Sequence, residues 1–285
     1  SLQEIAPLDM RDKANGWADA SCAIGMATAT VLSGMLSKGG DWLNAYNLYW
    51  IAVIILIIAI IGYPNVTQTV REENADNETE KTGAKAVIPL AIIGVILLRF
   101  IGAWGYQGHL FFTSDFVVNE SNFVSVQTYA VAEGLGQFLL GVTASVIFVL
   151  LRFFKGYSYS IGLLLCALST FLFVFVQQAW LTYPLFIIFF MGMSTVFSGA
   201  STIISISCKG RALVLATSLS IAAAACGEFL SAYVDPLLAR LIFGEMTARN
   251  ALLASAIYSV VLAVVAIPIF KRGYKIAYAD SNAGT

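Results

Sequence analysis

The sequence predicts an all-α fold: a polytopic membrane bundle of eight transmembrane helices. Hydrophobic residues make up 59% of the 285 residues and charged residues only 12%, and the mean hydropathy is +0.80. A soluble domain carries about 25% charged residues, roughly twice this share. The apolar residues also occur in blocks of about 20, the length that a helix needs to cross a bilayer. A soluble fold has no room to bury this much apolar surface.

Eight apolar blocks are the candidate helices, and short gaps with polar or turn residues separate most of them. Pro89 falls in the first turn of the third block, a position that favours proline because the first N–H groups of a helix have no partner within it. The predicted blocks are residues 16–36, 45–62, 86–111, 124–151, 158–176, 181–206, 212–238 and 251–270.

One long polar stretch, residues 64–85, interrupts the apolar blocks. It is dense in charge and has no aromatic residue, which is typical of a solvated linker. Two blocks precede it and six follow it. We therefore predict three parts: the last two helices of a truncated N-terminal lobe (1–63), an inter-lobe linker (64–85), and a six-helix C-terminal lobe with a short tail (86–285).

Basic residues in the loops predict the orientation of the chain. If the N-terminus is cytoplasmic, twelve lysines and arginines lie in loops on that side and three on the other. We therefore expect a multi-pass protein of a bacterial cytoplasmic membrane, with the linker and both termini in the cytoplasm. The twelve are Arg11, Lys13, Arg71, Lys81, Lys85, Arg152, Lys155, Lys209, Arg211, Lys271, Arg272 and Lys275, and the three are Lys38, Arg240 and Arg249.

The sequence contains no motif that indicates an enzyme. There is no Ser/His/Asp set, HExxH motif, phosphate-binding loop or dinucleotide-binding fingerprint. The four cysteines lack metal-ligand spacing, so we expect no metal and no cofactor. A net charge of −1 gives no reason to expect nucleic acid as a partner. The single histidine, His109, is interpreted as a residue near the outer end of its helix that touches headgroups or water, with a proton relay as the alternative.

Arg99 is the charged residue whose position within an apolar block is least expected. It lies about thirteen residues into the third block, near the bilayer centre, where an arginine costs about 2.5–3.5 kcal/mol. From that depth its side chain cannot reach the surface, so it must face protein or water. Tyr106 lies seven residues further on the same helix face, with Gly102 and Ala103 between them. We predict that this stripe faces away from lipid.

Carboxylates at similar depth are the candidate partners of Arg99. Glu133 lies in the fourth block, with Gln137 one turn further on the same face. Glu228 lies in the seventh block, with Asp235 on its face, followed by Pro236, which interrupts the helical hydrogen bonds. One interpretation is an Arg–Glu pair that locks two helices. The other, which we favour, is a polar patch in a water-filled cavity that contacts a substrate or carries a proton.

Small residues at helical spacing form a second pattern. Such faces let helices approach closely or slide against each other. Static packing and a role in gating both stay open. The positions are Gly25 and Gly34 in the first block, Gly134 and Gly141 in the fourth, Gly192, Thr195, Gly199 and Thr202 in the sixth, and Ala216, Ser220, Ala223, Gly227 and Ser231 in the seventh.

Three short stretches carry a resemblance to a known family. Residues 4–16, with Pro7 and Arg11, resemble a Pro-x-x-x-Arg-Gly connection between two helices. Residues 151–157, Leu-Arg-Phe-Phe-Lys-Gly-Tyr, resemble a reduced basic loop motif, and residues 226–231, Cys-Gly-Glu-Phe-Leu-Ser, are similar to a Gly-x-Phe-x-Ser/Pro helix pattern. Together with the charged linker followed by six blocks, these resemble the C-terminal two-thirds of a major facilitator superfamily transporter.

The resemblance implies that the eight blocks correspond to helices five to twelve of that family and that about four N-terminal helices are missing. It further implies a two-lobe bundle with a mid-membrane substrate site between the lobes, worked by rocking. The third, fourth, sixth and seventh blocks would line the cavity. These blocks contain Arg99, Glu133, the Gly192–Thr202 face and Glu228, which were selected from their charge and spacing alone.

We therefore expect a secondary transporter of a small polar or amphipathic solute, coupled to ions or protons as a symporter or antiporter. Its partners would be the bilayer, the solute, protons, and the missing helices of the parent chain. The expected site residues are Arg99, Tyr106, Glu133, Gln137 and Glu228. Two alternatives stay open: a multi-pass membrane enzyme or sensor, and a complete eight-span protein that assembles as an oligomer.

Overall fold

A computed structural model describes residues 11–37, 42–62 and 87–278, and the elements within those ranges are all helical. The predicted all-α fold is therefore confirmed. The predicted linker at 64–85 lies outside the described residues, as does the first part of the 4–16 motif. The α-helices are α1 (Arg11–Leu36), α2 (Tyr49–Gly62), α3 (Leu90–Ser114), α4 (Val126–Ser145), α5 (Ile147–Phe154), α6 (Ser158–Phe173), α7 (Thr182–Ser207), α8 (Gly210–Phe243) and α9 (Ala248–Ala277).

Seven stretches of the described chain are long and apolar enough to cross a membrane. They are Gly16–Leu36, Leu43–Ile61, Leu90–Glu120, Ile147–Phe173, Ala179–Ser207, Gly210–Phe243 and Ala248–Ala277. The predicted fourth block forms α4 and α5, which are separated at Val146, and α4 is not among the seven. Glu133, Gln137 and three glycines make α4 the less apolar part of that block. A turn at Lys155–Tyr157 then separates α5 from α6.

Local sequence signals set several helix ends. Ser125 accepts a hydrogen bond from the N–H of Thr128 (3.1 Å) and so caps α4. Gly244 ends α8 with φ 84°, a left-handed conformation that glycine adopts without strain. Pro89 was predicted within the first turn of the third block, but it is the N-cap of α3, because the helix begins at Leu90. Pro236 lies inside α8, which continues to Phe243.

The helix α3 is central to the bundle. It packs against α8 on one side and α9 on another, and it also contacts α6 and α7. The helices α6, α7 and α9 pack together, and α7 also contacts α4. Twelve residues of α3 are buried, among them the predicted stripe of Arg99, Gly102, Ala103 and Tyr106. The prediction that this stripe faces away from lipid is confirmed.

Glycine and alanine form the contact between α1 and α4. A methyl group at Gly141 would lie 3.1 Å from both the carbonyl oxygen of Ala20 and the Cβ of Ala23, and Gly34 meets Ala130 in the same way. The backbones of the two helices are therefore close along much of their length. Close packing was predicted for Gly34, Gly134 and Gly141 and is confirmed. The same prediction was wrong for Gly25. This residue is exposed, and a methyl group added to it would have no atom within 4 Å.

Two further glycines permit close helix approach elsewhere. A methyl group at Gly192 of α7 would lie 2.6 Å from the carbonyl oxygen of Gly162 on α6. One at Gly227 of α8 would overlap the carbonyl oxygen of Phe100 on α3. Both contacts are with backbone, which a rotamer change cannot relieve. They confirm the predicted close approach of helices at these two positions.

The helix α2 stands apart from this core. It packs against the short helix Trp42–Leu48 that precedes it, and none of its described side chains is buried. Its sequence is apolar on every face, which suits a helix that is surrounded by lipid or by other helices. Because it is remote from the buried polar residues, it does not shape the site described below.

Candidate functional site

Arg99, on α3, lies at the centre of a polar cluster that α1, α3, α7 and α8 build together. Only 5% of its surface is exposed. Its Nη1 donates hydrogen bonds to Ser201 Oγ (2.6 Å) and Ser220 Oγ (3.1 Å), and the guanidinium lies 4.1 Å from the ring centroid of Phe197. Its Nη2 has no hydrogen-bond partner among the described residues. The guanidinium therefore keeps one free donor group.

Serine is suited to these positions because its hydroxyl can donate and accept at once. Ser201 donates to the carbonyl oxygen of Phe197 one turn back (3.1 Å), which leaves its lone pairs for Arg99. Ser220 is almost fully buried on α8, opposite α3. The cation is thus held by neutral oxygens and an aromatic face, and no carboxylate hydrogen-bonds to it among the described residues. The interpretation of a locked Arg–Glu pair finds no support in this arrangement.

Glu228 and Tyr106 form the second part of the cluster. The hydroxyl of Tyr106 donates a hydrogen bond to Glu228 Oε1 (3.3 Å), which joins α3 to α8. Tyr106 is almost completely buried, whereas Glu228 is partly exposed. Glu228 also lies within electrostatic range of Arg99. Three of the five predicted site residues are therefore brought together.

Asp19, on α1, is a member of the cluster that the sequence analysis missed. It lies within electrostatic range of Arg99 and next to the hydroxyl of Ser198. This carboxyl group is partly buried between α1 and α7. The sequence does contain a signal for Asp19, because it is an acidic residue inside the first predicted block. It shares a helix face with Ala23 and Ala27, which lie one and two turns further along and are both buried.

Glu133 and Gln137 form a separate cluster between α1 and α4. Gln137 donates from Nε2 to Glu133 Oε1 (3.2 Å) and accepts at Oε1 from the hydroxyl of Thr30 (2.8 Å). Tyr129 lies beside Glu133. The hydrogen bonds of Arg99 run to Ser201 and Ser220 and not to this pair. Within the described residues the structure therefore shows no hydrogen bond between Glu133 and Arg99, which differs from the expectation that the two are partners in one patch.

The helix α1 contributes to both clusters at different depths. Asp19 and Thr30 are eleven residues apart on it, which corresponds to about 16 Å along the helix axis. The Arg99 cluster and the Glu133 cluster are therefore two polar levels beside α1, not one continuous patch.

The Thr30–Gln137 hydrogen bond is expected to contribute measurably to the α1–α4 contact. A double-mutant cycle with Thr30→Val and Gln137→Leu should give a coupling energy of about 0.6 kcal/mol, the average for hydrogen bonds between membrane helices. The measurement is equilibrium unfolding of the purified protein in mixed micelles. Strictly additive effects would show that the bond contributes nothing.

His109 is not the headgroup-contacting residue that the sequence predicted. It is completely buried among α3, α6 and α7, with its ring stacked on Phe189 (3.8 Å between centroids). Its Nδ1 lies 3.0 Å from the hydroxyl of Thr170. The prediction failed because it placed the end of the helix too early. The helix α3 continues to Ser114, and a π-helical segment extends it to Glu120.

The chemistry of the Arg99 cluster is that of a polar binding site. It combines a buried cation, whose Nη2 has no partner in the part of the chain that the structure describes, with two acidic side chains within electrostatic range of that cation. Such an arrangement can bind an anionic or polar group and can exchange protons through Glu228 or Asp19. Within residues 11–37, 42–62 and 87–278, no group of three or more His, Cys, Asp or Glu side chains could hold a metal ion.

Comparison with known proteins gives a family match. A family model described as Major Facilitator Superfamily matches residues 1–225. This range includes α1 to α7 and the first half of α8, and thus Asp19, Arg99, Tyr106, Glu133 and Gln137. Neither the search of curated proteins nor that of solved structures gave a match.

Proposed function

This chain belongs to the Major Facilitator Superfamily, and from that premise we propose that it is part of a secondary active transporter for a small polar or amphipathic solute. The family consists of membrane transporters, and the apolar helices make this an integral multi-pass membrane protein. The proposed mechanism is alternating access, in which two lobes rock around a central site and the gradient of an ion or of protons supplies the energy.

The observation that carries the proposal is the buried Arg99 guanidinium, whose Nη2 has no hydrogen-bond partner within residues 11–37, 42–62 and 87–278. A charged group in a membrane helix is costly, so it is retained where it serves a function or is fully paired. Arg99 is only partly paired, by the hydroxyls of Ser201 and Ser220. Its free N–H group is a suitable contact for a carboxylate, phosphate or other acceptor of the solute.

The acidic residues take complementary roles in this proposal. Glu228 is a proton carrier or solute contact, and Tyr106 positions it through the hydrogen bond to Oε1. Asp19 faces the same cluster from α1 and adds a second carboxylate. Glu133 and Gln137 would contact the solute or bind a proton at the second polar level, between α1 and α4. The proposed order of events is that binding of a proton at Glu228 changes the charge around Arg99 and thereby its affinity for the solute.

The proposed division into two lobes follows the order of the helices along the chain. The helices α1 and α2 would belong to the N-terminal lobe and α3 to α9 to the C-terminal lobe, with the 64–85 linker and both termini in the cytoplasm of a bacterial cell. In this arrangement the Arg99 cluster joins the lobes, because Asp19 comes from α1 and the remaining members from α3, α7 and α8.

The test is uptake by the full-length protein in proteoliposomes, with and without an imposed pH gradient. The probes are radiolabelled amino acids, sugars, nucleosides and small organic acids. We expect at least one class to accumulate only when the gradient is present. The absence of uptake for every class under both conditions would contradict the proposal.

Glu228→Gln tests the proton-carrier role. Glutamine can still accept the hydrogen bond from Tyr106, but it cannot ionise. We therefore expect gradient-driven accumulation to be lost while exchange of labelled for unlabelled solute continues. Glu245→Gln, at an exposed carboxylate beyond the end of α8, is the matched control and should behave as wild type. Normal accumulation by Glu228→Gln would remove Glu228 from the coupling mechanism.

A further inference from the structure

Asp235 is a buried carboxylate that the proposed site does not use. It lies on α8, seven residues beyond Glu228, and none of its surface is exposed. Its carboxyl group lies over Gly108 of α3: a methyl group there would be 2.7 Å from Asp235 Oδ2 and 2.8 Å from Ser255 Oγ. The absence of a side chain at Gly108 therefore creates the space in which α8, α3 and α9 meet around this carboxyl group.

No hydrogen-bond donor reaches Asp235 within the described part of the chain. Neither Oδ1 nor Oδ2 has a partner. The nearby hydroxyls are already committed as donors, because Ser255 and Ser259 both donate to the carbonyl oxygen of Gly105, at 2.8 and 2.9 Å. Tyr258 donates to the carbonyl oxygen of Ile101 (2.9 Å). The hydroxyl hydrogens of Ser255, Tyr258 and Ser259 are therefore not available to Asp235.

The charged groups of the surrounding helices are also remote from Asp235. On α3, His109 faces the opposite side, where it stacks on Phe189, and Arg99 is bonded to serines more than two turns away. On α9, Tyr258 is the titratable group within electrostatic range. The charged side chains at this end of the described bundle are exposed; they are Asp115, Glu120, Arg240, Glu245 and Arg249.

These contacts distinguish the two protonation states of the carboxyl group. A carboxylate here would be a buried charge without a donor or a counter-ion, which is strongly unfavourable in a membrane interior. A protonated carboxyl group carries no net charge, so it is much less costly to bury at this place. The surroundings of Asp235 therefore favour the neutral acid over the anion.

We propose that Asp235 is a proton-binding site, which holds a proton while α3, α8 and α9 are packed together and releases it when α8 separates from α3. On release the carboxyl O–H bond breaks, the proton passes to water that enters between the helices, and the carboxylate remains, solvated by that water. The place of this step in a transport cycle rests on the proposed function. The proposal that Asp235 carries a proton in the packed arrangement is independent of the proposed function.

The experiment is infrared spectroscopy of the full-length protein in proteoliposomes at neutral pH. The spectrum of wild type minus Asp235→Asn should contain the carbonyl stretching band of a protonated carboxylic acid. The spectrum of wild type minus Glu245→Gln is the control and should not contain this band, because Glu245 is exposed at the surface and Asp235 is buried. A difference spectrum for Asp235→Asn that contains a carboxylate band instead would overturn the proposal.

A second variant keeps the test independent of how well Asp235→Asn folds. Ser255→Ala leaves the carboxyl group in place and removes only a neighbouring neutral hydroxyl, so the acid band should persist. Its replacement by a carboxylate band in Ser255→Ala would overturn the proposal, because burial among α3, α8 and α9 would then not be what keeps Asp235 protonated. Loss of the band when sodium replaces choline at constant pH would also overturn the proposal, in favour of a metal-cation site.

These outcomes are separate from those of the transport assay. Should no solute accumulate in a pH gradient while the acid band is present, the proposed function fails and the proton site stands. If the solute accumulates but the acid band is absent, the proton site at Asp235 fails and the proposed function stands.

Discussion

Arg99→Ala should reduce solute uptake by the full-length protein by at least about 30-fold, and to below detection if the solute is charged. Truncating a buried charge that pairs with a ligand costs about 2–5 kcal/mol, and each 1.4 kcal/mol is about a factor of ten. The variant also removes both hydrogen bonds to Ser201 and Ser220. The measurement is initial uptake rate in proteoliposomes that contain equal amounts of folded protein.

Insertion of the Arg99→Ala protein into the membrane should be unimpaired, because the replacement removes a costly charge from the interior of a membrane helix. Two further variants define the role. Arg99→Lys retains a charge without the planar fork and should recover only part of the activity. Arg240→Ala, at an exposed arginine in the last turn of α8, is the matched control and should transport normally. Normal uptake by Arg99→Ala would remove Arg99 from the site.

Gly227→Leu should prevent accumulation of folded protein, and Gly227→Ala should lower stability by about 1–3 kcal/mol, the usual cost of overpacking. At this position even one methyl group overlaps the carbonyl oxygen of Phe100 and lies 2.8 Å from Ala103 Cβ. Backbone cannot rotate away, so α3 and α8 would have to separate. The measurement is the fraction of monodisperse protein after heating in detergent.

The matched controls for Gly227 are Gly25→Ala and Gly25→Leu. Gly25 is also in a membrane helix, but it is exposed, and a side chain there meets nothing within 4 Å. Both Gly25 variants should retain the thermal stability of wild type. Equal tolerance of leucine at the two positions would show that the α3–α8 contact is looser than described here.

The length of the apolar blocks and the cost of a charge in lipid were sufficient to predict the helices and the burial of Arg99. Both signals depend only on where a residue lies along one helix, and that position can be read directly from the sequence. The partners of Arg99 depend instead on how helices are rotated about their axes and set against each other. Sequence position gives Glu133 a plausible depth, but the structure directs it toward Gln137, which bonds Thr30 of α1, and away from Arg99.

Two other residues show the same limit. Asp19 lies three residues from the predicted start of the first block, where a charge normally reaches the surface. Its position beside Ser198 depends on the packing of α1 against α7, which position along one helix does not reveal. His109 was judged from its distance to the predicted end of the third block. Its enclosure by Phe173, Phe186 and Phe189 depends on α6 and α7, which follow it in the sequence by more than 40 residues.

The glycine and alanine contact of α1 with α4 has a mechanical consequence for a transporter of two lobes. In the proposed division these helices belong to different lobes, so any rocking must tilt one against the other. Surfaces made mainly of glycine, alanine and valine present no long side chains that would need to change rotamer during such a tilt. The Thr30–Gln137 hydrogen bond crosses this surface, so a tilt would have to open and re-form it in each cycle.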